Sequence, residues 1–259
     1  MCGICGYKLN RDFKEEKILE NLIKEIENRG PDKTSIYENK NIGLGITRLA
    51  IRDINLGNQP FVNEDLDLIC VFNGEIYNYE YLKNKIEEKG YKFKTKCDTE
   101  LINPGFHYFG YNFFQMINGM FGIAIYNTKL KKLILIRDRF GIKPLYFSIL
   151  NDNFYFSSSA KSLFNLSFFK KKIDRTSMNS ILKNRYSKNN HIFHNIDELT
   201  PGNFIIIDKN NNVEQKKYCE KINNENVKFN NLENKLVKFF DQGIKNYEQS
   251  DVPLSIMLS

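Results

Sequence analysis

Short apolar and aromatic runs recur along this chain, and several are joined by turns of two or three residues. Asn127-Thr128 and Asn151-Asp152-Asn153 are such turns. Connections this short favour antiparallel pairing of the flanking strands. The sequence therefore predicts strands over residues 2–9, 42–51, 67–73, 120–126, 132–137, 144–149 and 153–157, with a later hairpin formed by 204–208 and 213–218.

Helical periodicity appears between these strands. Ile18, Leu22, Ile23 and Ile26 fall on one face of a predicted helix over 14–28. Similar patterns predict helices over 78–89, 98–117, 158–165, 174–184 and about 228–248. Pro104-Gly105 predicts a break or kink in the helix over 98–117, because an interior proline costs about 3 kcal/mol. Many antiparallel strands with interspersed helices predict a layered α+β domain.

The composition is that of an ordinary globular protein, with 259 residues, 41% hydrophobic residues and a net charge of +7. The lysines are scattered, and the densest cluster, residues 170–172, is short and carries no nucleic-acid-binding motif. We therefore expect no nucleic-acid partner. No run is long enough to span a bilayer and no signal peptide precedes the first strand, so we expect a cytoplasmic protein without a membrane partner.

A polar stretch, residues 221–226, predicts a linker after the main domain. The helix over 228–248 and a buried strand over 252–258 would then belong to a second unit. The predicted domains are accordingly 2–220 and 221–259.

Cys2 is the strongest candidate for chemistry. Removal of Met1 would leave it with a free α-amine, and such an amine titrates near pH ~8, where it can accept the thiol proton. Cys2 and Cys5 also have the spacing of a redox pair, but no strand precedes them and no second cysteine pair completes a zinc site. Cys5 is predicted to be a small buried residue on the first strand.

Three further candidates each have a plain structural interpretation. Arg48 is either a surface cation or a clamp for a carboxylate. Asn73-Gly74 is either a hairpin turn or a pair of oxyanion donors, with glycine allowing close approach. Asp98 is either a helix N-cap or the partner of a substrate ammonium. Together with Cys2 they form the set needed to hydrolyse the side-chain amide of a free amino acid.

The chain resembles the class II, or N-terminal nucleophile, glutamine amidotransferases, and within them the glutamine-hydrolysing asparagine synthetases. That family has an αββα sandwich of antiparallel sheets, and the resemblance implies the same fold here. The segments that carry the resemblance are Cys2-Gly3-Ile4, Arg29-Gly30-Pro31-Asp32, Arg48-Leu49-Ala50-Ile51, Gly57-Asn58-Gln59-Pro60, Asn73-Gly74-Glu75-Ile76-Tyr77-Asn78, Asp98-Thr99-Glu100, Gly119-Met120-Phe121-Gly122, Arg137 to Tyr146, Pro201-Gly202 and Asp251-Val252-Pro253-Leu254.

The resemblance implies a role for each matching residue. Cys2 would attack the glutamine side-chain amide and form a thioester, and the ammonia released would pass to a synthetase domain. Asn73 and the N–H of Gly74 would hold the oxyanion. The glutamine itself would be bound by Arg48 at its carboxylate, by Glu75 and Asp98 at its amine, and by backbone groups of Leu49 and Ile51.

The sequence departs from the family pattern at four positions. Asn28 and Ile46 stand where the family usually has histidine, Ser159 where it has an acid, and Cys97 where it has serine. All four lie outside the implied set of reacting groups. We therefore expect glutaminase chemistry to survive, with any effect of the departures falling on support from neighbouring residues and on coupling to a synthetase domain.

The resemblance also implies a synthetase domain that uses ATP and Mg²⁺. Leu258 matches a position that contacts ATP, but the loop that would follow Ser259 is absent from this sequence. We expect no cofactor in this chain, with ATP and Mg²⁺ used by the missing synthetase domain, and glutaminase activity alone from the isolated chain. A homodimer is compatible with the family. Two alternatives remain: an amidotransferase acting on a sugar or peptide acceptor, and a non-catalytic module that binds glutamine or a partner chain.

Overall fold

The computed structural model describes residues 1–10, 17–185, 191–219, 232–248, 250–253 and 255. Its strands are β1 (Gly3–Lys8), β2 (Lys33–Asn39), β3 (Ile42–Arg48), β4 (Phe61–Asn63), β5 (Leu68–Ile76), β6 (Gly119–Asn127), β7 (Lys132–Arg137), β8 (Tyr146–Leu150), β9 (Asn153–Ser157), β10 (Asp197–Glu198), β11 (Asn203–Ile207) and β12 (Val213–Lys217). The α-helices are α1 (Ile18–Lys24), α2 (Tyr79–Glu87), α3 (Ile102–Phe109), α4 (Phe113–Met116), α5 (Ala160–Phe164), α6 (Arg175–Asn184) and α7 (Leu232–Tyr247).

The strands form two six-stranded sheets, in the orders β10-β8-β9-β1-β3-β2 and β12-β11-β7-β6-β5-β4. Every pairing between named strands is antiparallel. Short hairpins connect β6 to β7, β8 to β9 and β11 to β12. The antiparallel α+β fold predicted from the turn spacing is therefore confirmed.

The central strands are apolar on both faces, which is why each sheet is buried on both sides. On β5, Cys70 and Phe72 face the helices α2, α3 and α4, whereas Ile69 and Val71 face the other sheet. On β1, Ile4 faces the second sheet, and Cys5 packs with the helices α1 and α5. This period-two alternation follows directly from strand geometry.

Three buried clusters define four layers. One cluster lies between α2, α3 and α4 and the β5-containing sheet. The second lies between the two sheets, and the third lies between the β1-containing sheet and the helices α1 and α5. The resulting helix–sheet–sheet–helix order confirms the αββα sandwich that the family resemblance implied.

The segment after Asp98 differs in detail from the predicted helix. It begins as a 3₁₀ turn, Asp98–Leu101, continues as α3 and then breaks at a second 3₁₀ turn, Gly110–Asn112, before α4. Pro104 lies in the first turn of α3, where its missing N–H costs no helical hydrogen bond. The predicted break at Pro104-Gly105 is therefore wrong in position, because α3 runs through both residues and the interruption follows Phe109.

The end of the chain is partly described. Helix α7 lies within the predicted helix over 228–248, and it exposes a row of large apolar side chains that includes Phe239 and Phe240. The predicted linker 221–226 and Leu258 lie outside the described residues, and the domain boundary near 220 stays a prediction. Among the described helices, none is long and apolar enough to cross a bilayer.

Candidate active site

One pocket, with an empty volume of about 300 Å³ that is partly open to solvent, gathers most of the predicted site residues. It lies where β1, β3 and β5 meet the loop that joins β3 to β4, residues 49–60, which we call the pocket loop. Asn73 lies directly before Gly74 on β5, outside this lining. The lining consists of Cys2, Arg48, Leu49, Ile51, Arg52, Gln59, Phe72, Gly74, Glu75, Cys97, Asp98 and Thr99.

The thiol of Cys2 is held against the backbone of Leu49. Sγ donates to the Leu49 carbonyl at 3.6 Å and accepts from the Leu49 N–H at 3.4 Å. Burial raises the pKa of Cys2, while the Leu49 N–H and the nearby N-terminal amine oppose that effect. A thiol in this environment stays protonated at neutral pH, so its use as a nucleophile requires a base close by.

The N-terminus is oriented by a half-buried arginine, Arg29. Arg29 Nε donates to the Cys2 carbonyl at 3.2 Å, while Met1 is 59% exposed beyond the pocket. Burial lowers the pKa of the terminal amine at Met1. Met1 is therefore accessible for removal, and the strand behind it is fixed in place.

The side chain of Arg48 is buried and is shaped by the pocket loop. Its Nη1 donates to the carbonyl of Ile54 at 3.0 Å, and its Nη2 donates to the carbonyls of Arg52 and Asp53 at 3.0 and 2.8 Å. A Cβ at Gly57 would come within 2.5 Å of Nη2, so glycine is needed there for the loop to close around the guanidinium. These bonds fix the direction of the cation and leave part of its donor set for a ligand.

Two carboxyl groups, those of Glu75 and Asp98, also line the pocket. Asp98 is buried and accepts from the Ile76 N–H at 3.2 Å. Burial and the neighbouring Asp98 raise the pKa of Glu75 to about 8, and burial also raises the pKa of Asp98. The charge of Arg52, whose guanidinium lies 4.4 Å from the ring centroid of Tyr79, opposes both shifts. The pair therefore carries less than its full negative charge until a cation binds.

Asn73 and Gly74 carry the donors that the sequence predicted. Asn73 is 1% exposed, and its Nδ2 has no hydrogen-bond partner among the described residues. A Cβ at Gly74 would lie 2.2 Å from the carbonyl of Met120 on β6, so only glycine fits. A buried amide N–H without a hydrogen-bond partner is uncommon and lowers the stability of the fold. The unpaired Nδ2 of Asn73 therefore suggests a functional role for this group.

Gln59 joins the pocket to the frame behind it. Its Oε1 accepts from the Phe72 N–H at 2.7 Å, and its Nε2 donates to the Thr99 hydroxyl at 3.0 Å. It thus ties the pocket loop to β5 and to the turn that carries Asp98. Its segment was part of the family resemblance, but no role was predicted for it.

Lys143 was also not predicted, and it is brought to the site by an aspartate. Asp138 accepts from the backbone N–H groups of Phe121, Phe140, Ile142 and Lys143. Lys143 is 5% exposed, and burial lowers its pKa while the charges of Glu75 and Cys2 oppose that effect. The motif around Arg137 therefore places a buried cation near the thiol.

Three of the four positions that depart from the family pattern, Asn28, Ile46 and Ser159, lie outside the pocket lining. Asn28 is exposed in a 3₁₀ turn, and Ile46 is buried between the two sheets. Ser159 is the residue before α5. Cys97 does line the pocket, where burial raises its pKa to about 12. Among the described residues, no group of three His, Cys, Asp or Glu side chains is placed to hold a metal ion.

Residues 1–219 match the family model of the glutamine amidotransferase domain. The chain belongs to this family. The glutamine-hydrolysing asparagine synthetase 1 of Bacillus subtilis strain 168 is 38% identical over 167 residues, which are 63% of this chain and 26% of that protein. Asparagine synthetase 2 of the same organism is 35% identical over 222 residues, 82% of this chain and 30% of that protein. This amidotransferase chain spans less than a third of the length of these two relatives.

The fold of this amidotransferase domain has a solved counterpart. A glutamine phosphoribosylpyrophosphate amidotransferase from B. subtilis, complexed with ADP and GMP, matches with a TM-score of 0.64. The match covers 86% of this chain and 50% of that chain at 18% identity. At this identity the likeness concerns the fold alone, and it agrees with the predicted α+β fold class.

Proposed function

We propose that this chain is the glutamine-hydrolysing part of an asparagine synthetase, and that it releases ammonia from glutamine through a thioester on Cys2. One observation carries the proposal. A single pocket holds a thiol together with a buried arginine and two acidic side chains, Glu75 and Asp98. This combination suits a free amino acid, whose carboxylate and ammonium need partners of opposite charge while its side-chain amide meets the nucleophile.

The first half of the reaction starts once Met1 has been removed. The α-amine of Cys2 takes the thiol proton, and Sγ attacks the side-chain carbonyl carbon of glutamine. We expect burial to lower the pKa of this amine, as it does at Met1, so that more of it is neutral at pH 7. The oxyanion that forms accepts from Asn73 Nδ2 and the Gly74 N–H, and the carbon–nitrogen bond then breaks. The proton passes to the leaving nitrogen, which departs as ammonia.

The second half of the reaction regenerates the thiol. The amine of Cys2 accepts a proton from a water molecule, which attacks the thioester carbon. The same two donors hold the second oxyanion. The carbon–sulfur bond breaks, the proton returns to Sγ, and glutamate leaves the pocket.

The proposal that the ammonia serves asparagine synthesis rests on the similarity to the two glutamine-hydrolysing asparagine synthetases of Bacillus subtilis. Amidation of aspartate would use ATP and Mg²⁺ in a synthetase partner, and Leu258, the proposed ATP contact, lies outside the described residues. Transfer to a sugar or peptide acceptor is the alternative within the same chemistry. A homodimer and a cytoplasmic location stay predictions.

The direct test of the proposed function is hydrolysis of glutamine by the purified chain without Met1. We expect glutamate and ammonia in equal amounts, measured by enzyme-coupled assays. No asparagine should form from aspartate, glutamine and ATP unless a synthetase partner is added. Glutamine binding without hydrolysis would instead support the non-catalytic module.

Replacing Arg48 with lysine is expected to raise KM for glutamine about tenfold to hundredfold with a smaller change in kcat. Lysine keeps the charge but cannot hold three loop carbonyls and a carboxylate at once, and a charge-assisted hydrogen bond contributes about 1.5–3 kcal/mol. Steady-state kinetics with glutamine and with its α-amide, which lacks the carboxylate, measure the effect. Arg175→Lys, at an exposed position on α6, is the matched control. Equal use of glutamine and its α-amide by the unaltered chain would contradict the clamp.

The affinity for glutamine is expected to rise with pH up to about 8. Glu75, with its pKa raised to about 8, is largely protonated below that pH and must lose its proton to bind the ammonium. The affinity should therefore increase by up to about tenfold per pH unit below pH 8. Calorimetric titration of the inactive Cys2→Ala variant between pH 6 and 8 measures this slope. Glu75→Gln in the same background should flatten it, and an unchanged slope would remove Glu75 from ammonium binding.

A further inference from the structure

The segment Ser250-Asp251, which follows α7, binds back onto the pocket loop. The Asp251 N–H donates to the Ile51 carbonyl at 3.0 Å, and its Oδ2 accepts from the Asp53 N–H at 2.7 Å. The Ser250 hydroxyl also donates to the Ile51 carbonyl, at 3.4 Å. Backbone and side chain of one aspartate thus hold both neighbours of Arg52.

One of the two residues held by Asp251, Asp53, also supports the clamp. The carbonyl of Asp53 accepts from Arg48 Nη2, and the side chain of Asp53 accepts from the Lys96 N–H at 2.8 Å, two residues before Asp98. Asp53 itself has a φ of 43°, in the left-handed region that a residue with a side chain rarely adopts. A backbone held in this conformation needs support from its surroundings, and Asp251 supplies it.

A second contact anchors the same segment beside the end of β5, the strand that carries Glu75. The ring of Tyr247, the last residue of α7, lies 4.6 Å from the ring of Tyr77, centroid to centroid. Tyr77 follows Ile76, whose N–H binds the Asp98 carboxylate. The end of α7 and Asp251 therefore contact both segments that carry the proposed glutamine partners.

We propose that Asp251 is a positioning residue that couples the chain beyond α7 to glutamine binding, by setting the conformation of the pocket loop around Arg48. The proposal rests on the proposed glutaminase function. A displacement of the segment around Asp251, such as a synthetase partner could cause, would loosen Ile51 and Asp53 and turn the clamp away. Glutamine would then bind well only when this segment is seated.

Two measurements on the full chain without Met1 test the proposal. Hydrogen exchange of the backbone amides of residues 51–56 is expected to speed up in Asp251→Ala, because the Asp53 N–H loses its acceptor. KM for glutamine is expected to rise about threefold to tenfold, the effect of one hydrogen bond, with kcat within twofold. KM for the α-amide of glutamine should not change, since that substrate does not use Arg48. Asp251→Asn keeps an acceptor oxygen, so its exchange rate and its KM for glutamine should equal those of the unaltered chain.

Asp241→Ala removes an exposed carboxylate from α7 and is the matched control, with no expected effect on either measurement. Unchanged exchange in Asp251→Ala would overturn the contact, whether or not the chain hydrolyses glutamine. Faster exchange with an unchanged KM for glutamine, or an equal rise for both substrates, would overturn the positioning of the clamp. Absence of hydrolysis in the unaltered chain would refute the proposed function, and calorimetric glutamine binding by both forms would then decide the positioning role.

Discussion

Replacing Cys2 with alanine is expected to lower kcat for glutamine by more than about 10⁴-fold, because the substitution removes the thiol that we propose forms the thioester. No other described thiol is placed to substitute for it. Cys5 is fully buried, and burial raises its pKa far above the usual value for a thiol. Cys97 lines the same pocket, but its pKa is raised to about 12. The residual rate, measured as glutamate release, should equal the rate of glutamine hydrolysis in buffer.

Two controls separate this role from the redox pair that the Cys2–Cys5 spacing also allows. Cys5→Ala should retain most of the activity, with a loss of stability at most, because its side chain only fills space behind β1. A chain that retains Met1, verified by mass spectrometry, should lose about 10²-fold or more, since its amine is displaced by one residue from the thiol. An inactive Cys5→Ala variant beside an active Cys2→Ala variant would favour the redox interpretation.

The sequence predicts this fold well where strands are buried on both faces. The runs over β7 and β9 are continuous apolar stretches bounded by turns, and their ends in the structure agree with the predicted ones. Strand β2 was missed. It is an edge strand that pairs only with β3 within its sheet and exposes most of its side chains. Its position is set by its pairing with β3, and the local hydrophobic pattern does not predict such a pairing.

The site shows a similar division. Short motifs at predicted strand ends pointed to Arg48 and Gly74, and the start of a predicted helix pointed to Asp98. The structure brings all three to one pocket with Cys2. Arg52 was missed because it has no distinctive local pattern, whereas Lys143 lies in the Arg137 to Tyr146 motif but was given no role. Their importance comes from distant parts of the chain, which place them beside Glu75. The roles of all these residues stay predictions until the variants are measured.

The two amide side chains Asn73 and Asn103 offer a sharp contrast, because both are buried but only one has its Nδ2 paired. Nδ2 of Asn103 donates to the carbonyls of Phe61 and Leu68 at 3.1 and 3.2 Å. Nδ2 of Asn73 has no partner among the described residues. A donor left unpaired in the free protein is available when an oxyanion develops, and it needs no rearrangement at that moment.

Asn73→Ala is therefore expected to lower kcat about 10²- to 10³-fold while KM for glutamine changes little, since the bond is made only in the transition state. Its free energy of unfolding should fall only slightly, because no Nδ2 hydrogen bond is lost. Asn103→Ala should do the reverse: it removes the two Nδ2 hydrogen bonds to carbonyls of β4 and β5 and costs about 1–3 kcal/mol of stability, with kcat of the folded protein preserved. Steady-state kinetics and urea unfolding on both variants measure the two effects. If Asn73→Ala raised KM and left kcat intact, the amide would be binding the substrate in its ground state, and the oxyanion role would be wrong.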